Sequence, residues 1–288
     1  MSRAPVGRGS RRPRGVTVKT PEQVAKMRLA GLVVARTLDR VVAAVRPGVT
    51  TGELDRIAED SIRGEGAVPS FLGYGGFPGS ICASAGAEVV HGIPGPRVVG
   101  DGELLSIDCG AVLDGWHGDA AVTVAVGECG PELLALSAVT REALWAGIAA
   151  VRPGGRLSDV GHAVQSVVTP HGYGLLEDYT GHGIGTSMHE PPEVPNVAPG
   201  GPGRGMVLTA GIVLAVEPMA VLGDAEVDVL ADDWTVVTRD GQQAAHWEHT
   251  VAVTPDGPWV LTALDGGAAE LGAPRRAEPV PARSGPAR

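Results

Sequence analysis

The chain has 288 residues, 43% of them hydrophobic, with 33 acidic against 23 basic side chains and a formal charge of −10. That length suits one large domain once the tails are set aside, and the negative balance argues against bulk binding of nucleic acid. Three cysteines, Cys82, Cys109 and Cys129, form an odd set without paired metal spacing, which argues against a disulfide framework.

Residues 1–15 carry Arg3, Arg8, Arg11, Arg12 and Arg14 without an apolar stretch, and read as a disordered basic tail. Such a tail can touch ribosomal RNA or another anionic surface, or stay solvated without a partner. The start lacks the apolar centre of a secretory signal, and no apolar segment approaches the roughly 20 residues that span a membrane. The expectation is a cytoplasmic protein without a membrane partner.

Thr20-Pro21-Glu22-Gln23 and Thr50-Thr51-Gly52-Glu53 are capping boxes, each opening a helix. Ala43-Ala44-Val45-Arg46-Pro47-Gly48 ends the first apolar-periodic helix and recurs unchanged at 149–154, an offset of 106 residues. Two half-domains, each a helix pair followed by strands, are therefore expected over 16–264.

The chain holds two Phe and three Tyr, yet both Phe and one Tyr fall in Phe71-Leu72-Gly73-Tyr74-Gly75-Gly76-Phe77. A glycine-rich loop bearing rings can wall an apolar pocket suited to a thioether, or simply anchor itself to the core.

Beyond it, Leu104-Leu105-Ser106-Ile107 leads into Asp108, and a turn at Asp114-Gly115 leads into Asp119, so the two acids are expected to face each other across a hairpin. Strand alternation turns Cys109 away from any site at Asp108. Gly181-His182-Gly183-Ile184-Gly185 is too glycine-rich for regular structure and lets backbone approach a ligand closely. Ile212-Val213-Leu214-Ala215-Val216 leads into Glu217, and Val251-Ala252-Val253 follows Glu248. From about 265 to 288 a Gly, Ala, Pro and Arg mixture reads as a second disordered tail.

Asp108, Asp119, His182, Glu217 and Glu248 together resemble a ligand set for two metal ions. Taken singly, each acid is as much at home as a cap or a solvated loop residue. Acids at the ends of buried strands, however, are costly unless paired or metal-bound. One imidazole among carboxylates suits manganese, iron, cobalt or zinc, and two close cations consume several acids at once.

Ile107-Asp108-Cys109-Gly110, His117-Gly118-Asp119-Ala120, Gly181–Gly185 with His189-Glu190-Pro191-Pro192, Val216-Glu217-Pro218-Met219 and Glu248-His249-Thr250-Val251 resemble, in order and spacing, the motifs of the methionine aminopeptidases. The 35 residues from His182 to Glu217 leave no room for the helical insertion of type II enzymes, so the resemblance is to type I. It implies an α+β pita-bread fold: two pseudo-symmetric halves around a curved, mostly antiparallel sheet with outer helices. It also implies that Asp119 and Glu248 bridge two divalent ions, Asp108 chelates one, and His182 and Glu217 complete the other, with a water or hydroxide between them. Glu217 would move that water's proton. His91 and His189, which alone read as partly buried histidines satisfied by backbone, would hydrogen-bond the scissile peptide. The methionine pocket would be lined by Phe71, Tyr74, Phe77, Cys82, Met188 and Trp234.

The implied activity is removal of the N-terminal methionine from nascent polypeptides with a small second residue, by a monomer without a specific nucleic-acid partner. A proline-specific enzyme of this fold would need an extra N-terminal domain, for which the 20 residues before the first helix leave no space. A non-catalytic binding protein would typically lack ligands that are all present. The sequence departs from the family's common residues at Phe71, Gly75, Phe77 and His246. Phe71 is expected to narrow the pocket, Gly75 to alter substrate handling, and His246 to perturb the site's pH dependence.

Overall fold

Two capping boxes open the fold. Thr20 Oγ1 accepts from Gln23 N while the Gln23 side chain accepts from Thr20 N, and Thr50 with Glu53 repeats the exchange. They start α1 (Pro21–Ala44) and α2 (Thr51–Gly64). The structure, a computed structural model, describes residues 15–272, so the arginine-rich 1–14 and residues 273–288 lie outside the described residues.

Five strands follow the first helix pair: β1 (Val68–Pro69), β2 (Ile81–Ala85), β3 (Glu88–Val90), β4 (Glu103–Leu113) and β5 (Trp116–Val126). A second pair, α3 (Pro131–Ala150) and α4 (Leu157–Val168), starts the second half. Its strands are β6 (Gly174–Leu175), β7 (Gly181–Gly183), β8 (Glu190–Val194), β9 (Val213–Val216), β10 (Met219–Val221), β11 (Val227–Val229), β12 (Val236–Thr238), β13 (Ala244–His246), β14 (His249–Thr254) and β15 (Gly257–Val260). A short α5 (Ala268–Leu271) closes the described chain. The repeated hexapeptide thus does mark the end of the first helix in each pair.

All paired strands are antiparallel. The two largest sheets are β1-β4-β2 with β5 on β4, and β15-β14-β9-β7-β8. Their outer faces pack on the helices. Leu105, Ile107 and Cys109 of β4 meet Leu38 of α1 and Leu54 and Ile62 of α2 in one cluster. In the other, Leu214, Val216, Val251 and Val253 meet Leu144 and Ile148 of α3 and Val160 of α4. With a side-chain period of two, Asp108, Glu217 and Glu248 fall on the opposite, concave face. Truncating one of these buried leucines to alanine would cost about 2–5 kcal/mol.

Two sequence expectations need correction. Helix α3 has 20 residues and is apolar enough, by length and composition, to cross a membrane. It is a core helix instead: Leu136, Ala143, Leu144 and Ile148 are fully buried against the sheets and α4. Residues 265–272, read from sequence as part of a disordered tail, are ordered. The Asp265 carboxylate accepts from Gly267 N and Ala269 N at 2.8 Å, Arg141 pairs with Glu270 at 2.5 Å, and Leu271 packs on the second cluster. A four-residue helix carries no periodicity to read.

Candidate active site

Asp114 and Gly115, at φ 50° and 80°, form the left-handed two-residue turn that joins β4 to β5. The resulting register sets Asp108 opposite Ala121 and Gly110 opposite Asp119, so the two acids are diagonal neighbours on one face. Ala121 then reaches across to the second half, accepting from Glu248 N at 2.9 Å and donating to Glu248 O at 3.3 Å. One residue of β5 therefore sits between Asp108 and Glu248.

Glu217 and Glu248 stand at matching breaks, between β9 and β10 and between β13 and β14. His249 pairs with Val216 and His246 with Met219, which places Glu217-Pro218 against Trp247-Glu248 at a crease in the sheet. The fifth group enters from β7, where Gly183 pairs with Leu214. Its segment is a strand, contrary to the expectation from its glycines. A Cβ on Gly181 would strike Ala215 O, and one on Gly183 would strike Pro191 O, so the glycines admit neighbouring backbone rather than a ligand.

Ligand atoms of Asp119, His182 and Glu248 lie within 4.8 Å of one another. His182 Nε2 is 3.8 Å from Asp119 Oδ2 and 3.6 Å from Glu217 Oε1. Its Nδ1 lies 2.9 Å from Gly183 O, a contact that holds the proton on Nδ1 and leaves Nε2 with a free lone pair. Burial, with help from His189, lowers the His182 pKa to about 4, which keeps the ring neutral as a ligand must be.

The carboxylates are crowded. Burial lifts Asp108 to about 7, and burial followed by mutual repulsion lifts Asp119, Glu217 and Glu248 well above the ordinary carboxylate range. Asp108 Oδ1, Asp119 Oδ1 and Glu248 Oε1 are buried without any hydrogen-bond partner. Orphaned anionic oxygens facing a neutral imidazole are the donor set of a divalent cation site, and these residues fit such ions.

Beside the acids, Phe71, Phe77, Cys82 and Met188 form an apolar cluster that packs against Trp234, with Phe77 and Trp234 edge-to-face at 5.1 Å. All thirteen side chains that the resemblance assigns to the site, from Phe71 to Glu248, line one cavity of about 140 Å³. The aromatic loop thus supplies part of the cavity wall. His189 Nδ1 bonds Tyr74 Oη at 2.8 Å. His91 occupies left-handed backbone at φ 59°, and burial lowers its pKa to about 4.

Three contributors, Val90, Thr250 and Tyr179, went unassigned from sequence. Val90 lines the cavity. Thr250 Oγ1 accepts from Asp119 N at 3.0 Å and donates to Asp119 O at 2.8 Å. Tyr179 sets its ring edge-on to His91 at 6.1 Å. His246, expected to add a titration, is fully enclosed with its pKa driven to about 3 by burial and then by His91. It therefore stays neutral near pH 7, with Nε2 unpartnered and 3.8 Å from Glu217 Oε2. The threonine stands inside a quoted motif, but nothing local marks its cross-sheet partner.

Residues 25–255 match the family described as Metallopeptidase family M24. The chain is 53% identical over 256 residues to methionine aminopeptidase 1 of Mycobacterium tuberculosis, covering 86% of this chain and 96% of that one. It is 50% identical over 248 residues to the methionine aminopeptidase of Clostridium acetobutylicum, covering 86% and 98%. The chain belongs to the type I methionine aminopeptidases of family M24. The solved methionine aminopeptidase of Rickettsia prowazekii superposes with a TM-score of 0.84 at 40% identity, covering 86% of this chain and 100% of that chain. Prolidase from Pyrococcus furiosus, at 21% identity and a TM-score of 0.69, shares the fold alone, and the match spans 65% of its length. The pita-bread architecture is thus the family's own. Between His182 and Glu217 the chain forms β8, β9 and loops but no helix, in keeping with a methionine aminopeptidase of type I.

Proposed function

We propose that the protein removes the N-terminal methionine from nascent polypeptides whose second residue is small, and does so in the cytoplasm. The carrying observation is the convergence of four buried carboxylates and one neutral imidazole with an apolar pocket in a single cavity. The relatives' names point to the same activity.

In this reading Asp108, Asp119, His182, Glu217 and Glu248 would hold two divalent cations drawn from cobalt, manganese, iron or zinc. Such ions, when bound, polarise the scissile carbonyl and lower the pKa of water. The Glu217 carboxylate would accept the water proton and return it to the leaving amine nitrogen; burial and the neighbouring Asp108 charge raise its pKa well above the ordinary carboxylate range. His91 and His189, both held neutral by burial, offer N–H groups to the scissile peptide and its oxyanion. His189 engages Tyr74 through Nδ1, which leaves Nε2 for this purpose. Phe71, Tyr74, Phe77, Cys82, Met188 and Trp234 enclose the methionine thioether, a polarisable group that packs well on ring edges.

Every side chain in this scheme comes from one chain, which suits a monomer. Contact between the ribosome and residues 1–15 rests on their charge alone.

The test is turnover of Met-Ala-Ser and of Ala-Pro peptides after chelation and reloading with each metal. Cleavage of the methionine peptide, dependent on metal, is expected. Cleavage of the proline peptide alone, or of neither, would overturn the proposal.

A further inference from the structure

Three segments meet at a buried ion pair beside His189. Lys19 Nζ donates to Glu190 Oε2 at 2.8 Å, and the two side chains are only 5% and 10% exposed. Lys19 Nζ also donates to Thr17 Oγ1, which in turn donates to Glu190 Oε2, both at 2.5 Å. The other carboxylate oxygen, Oε1, accepts from the backbone N–H of Thr186 at 3.1 Å and of Ser187 at 3.3 Å. One carboxylate therefore joins the strap at 17–19 to the loop that carries Met188 and His189.

Both ends of this junction are fixed. Lys19 N donates to Gly211 O at 2.7 Å, which secures the strap ahead of β9. Gly185 N donates to Ser187 O at 3.1 Å, and Gly185 O accepts from His117 N at 2.9 Å, which secures the loop. A Cβ on Gly185 would lie 2.8 Å from Lys19 Cε and would also strike Glu190 Oε1, so the ion pair itself demands glycine there. An ion pair this deep gains little net stability, because desolvation offsets the attraction; what it supplies is a defined geometry. That geometry is delivered at a wall of the pocket and at His189, one of the three histidines that line it.

We propose that Lys19 and Glu190 are positioning residues that set His189 and Met188 against the substrate. The inference rests on the reading of His189 as a group that touches the scissile peptide.

The test compares Lys19→Met, Glu190→Gln, His189→Ala and the double variant Lys19→Met/His189→Ala in the full chain. Lys19→Met is expected to lower kcat on Met-Ala-Ser about ten-fold, as small misplacements of reacting groups do. In the His189→Ala background the same change should cost less than about two-fold, because residues acting through one another are not additive. Hydrogen exchange should quicken over 184–190, while calorimetric binding of cobalt alone stays within about two-fold, since the ion pair touches no ligand. Multiplicative losses, an unchanged kcat or unchanged exchange in Lys19→Met would each overturn the proposal. Should Lys19→Met fail to fold, Glu190→Gln is read in the same way, and misfolding of both would make the pair a folding element and overturn it too. A wild-type protein without methionine-peptide turnover would defeat the proposed function instead, while exchange would still report on the ion pair.

Discussion

The Thr250 hydroxyl clamps the backbone of Asp119 from the neighbouring sheet, accepting from its N–H at 3.0 Å and donating to its carbonyl at 2.8 Å. Thr250 is fully buried, so no water replaces the bond. Thr250→Val keeps the shape and leaves both backbone groups unpaired, which should destabilise the fold by about 1–3 kcal/mol. Because the clamp orients a ligand, metal affinity should also fall roughly 10- to 100-fold. Urea titration and calorimetry check the two losses, and an unchanged metal affinity would show that Asp119 is held without Thr250.

In the metal-free protein the buried acids should contribute stability that is lost as pH rises. Asp108 is held at about 7 by burial, whereas an unfolded aspartate titrates near ~3.9. Between those values the folded chain binds more protons than the unfolded one, so stability is full below about pH 4 and declines through the window up to pH 7. Asp119, Glu217 and Glu248 are shifted in the same direction and reinforce the slope. The buried histidines, with pKa values pushed down, oppose this slope, so the acid's share is read by difference: with chelator present, the urea midpoint at pH 5 relative to pH 7.5 should be higher in the wild type than in Asp108→Asn. Equal differences in the two proteins would contradict this account.

Gly110 faces Asp119 across β4 and β5, and the Phe71 ring lies over it. A Cβ there would stand 2.7 Å from Phe71 Cε1 and 2.9 Å from Ser70 Cβ. Gly110→Ala should cost about 1–3 kcal/mol through overpacking and raise KM for Met-Ala-Ser by pushing the ring into the pocket. Adding Phe71→Cys should restore KM by removing the ring. Failure of that rescue would place the damage elsewhere.

Tyr74→Phe preserves the ring and deletes the 2.8 Å contact to His189 Nδ1. One ordinary hydrogen bond is worth about 0.5–1.5 kcal/mol, so kcat/KM should fall about two- to ten-fold. Stability should barely change. A loss confined to KM would assign Tyr74 to the pocket wall rather than to the histidine.

Much of the site was legible because its chemistry is local. Asp108, Glu217 and Glu248 each adjoin a buried apolar run, and an acid in that position needs a reason that any reader of the sequence can see. The capping boxes at Thr20 and Thr50 were equally plain, since both partners lie within one turn. His246 shows the limit. Its place beside Glu248 suggested a titrating neighbour, yet enclosure by surrounding elements keeps the ring neutral, and enclosure is not written in adjacent residues. The GHGIG run misled in a similar way: its glycines suggested an irregular ligand loop, and only the positions of Ala215 and Pro191 reveal that Gly181–Gly183 is a close-packed strand.

The sequence by itself determined which side chains are candidates for the chemistry, where the first two helices cap, and that Cys109 points away from Asp108, because these depend on residue type and on periods of two and 3.6. The tertiary structure alone decided that Ala121 stands between Asp108 and Glu248, that Thr250 grips Asp119, and that Lys19 reaches Glu190. Each of the latter two joins residues more than a hundred positions apart, as does the contact of Ala121 with Glu248. Sheet register and burial select such pairs through the cost of leaving a polar group unpaired, and that cost exists only once the chain has closed around it.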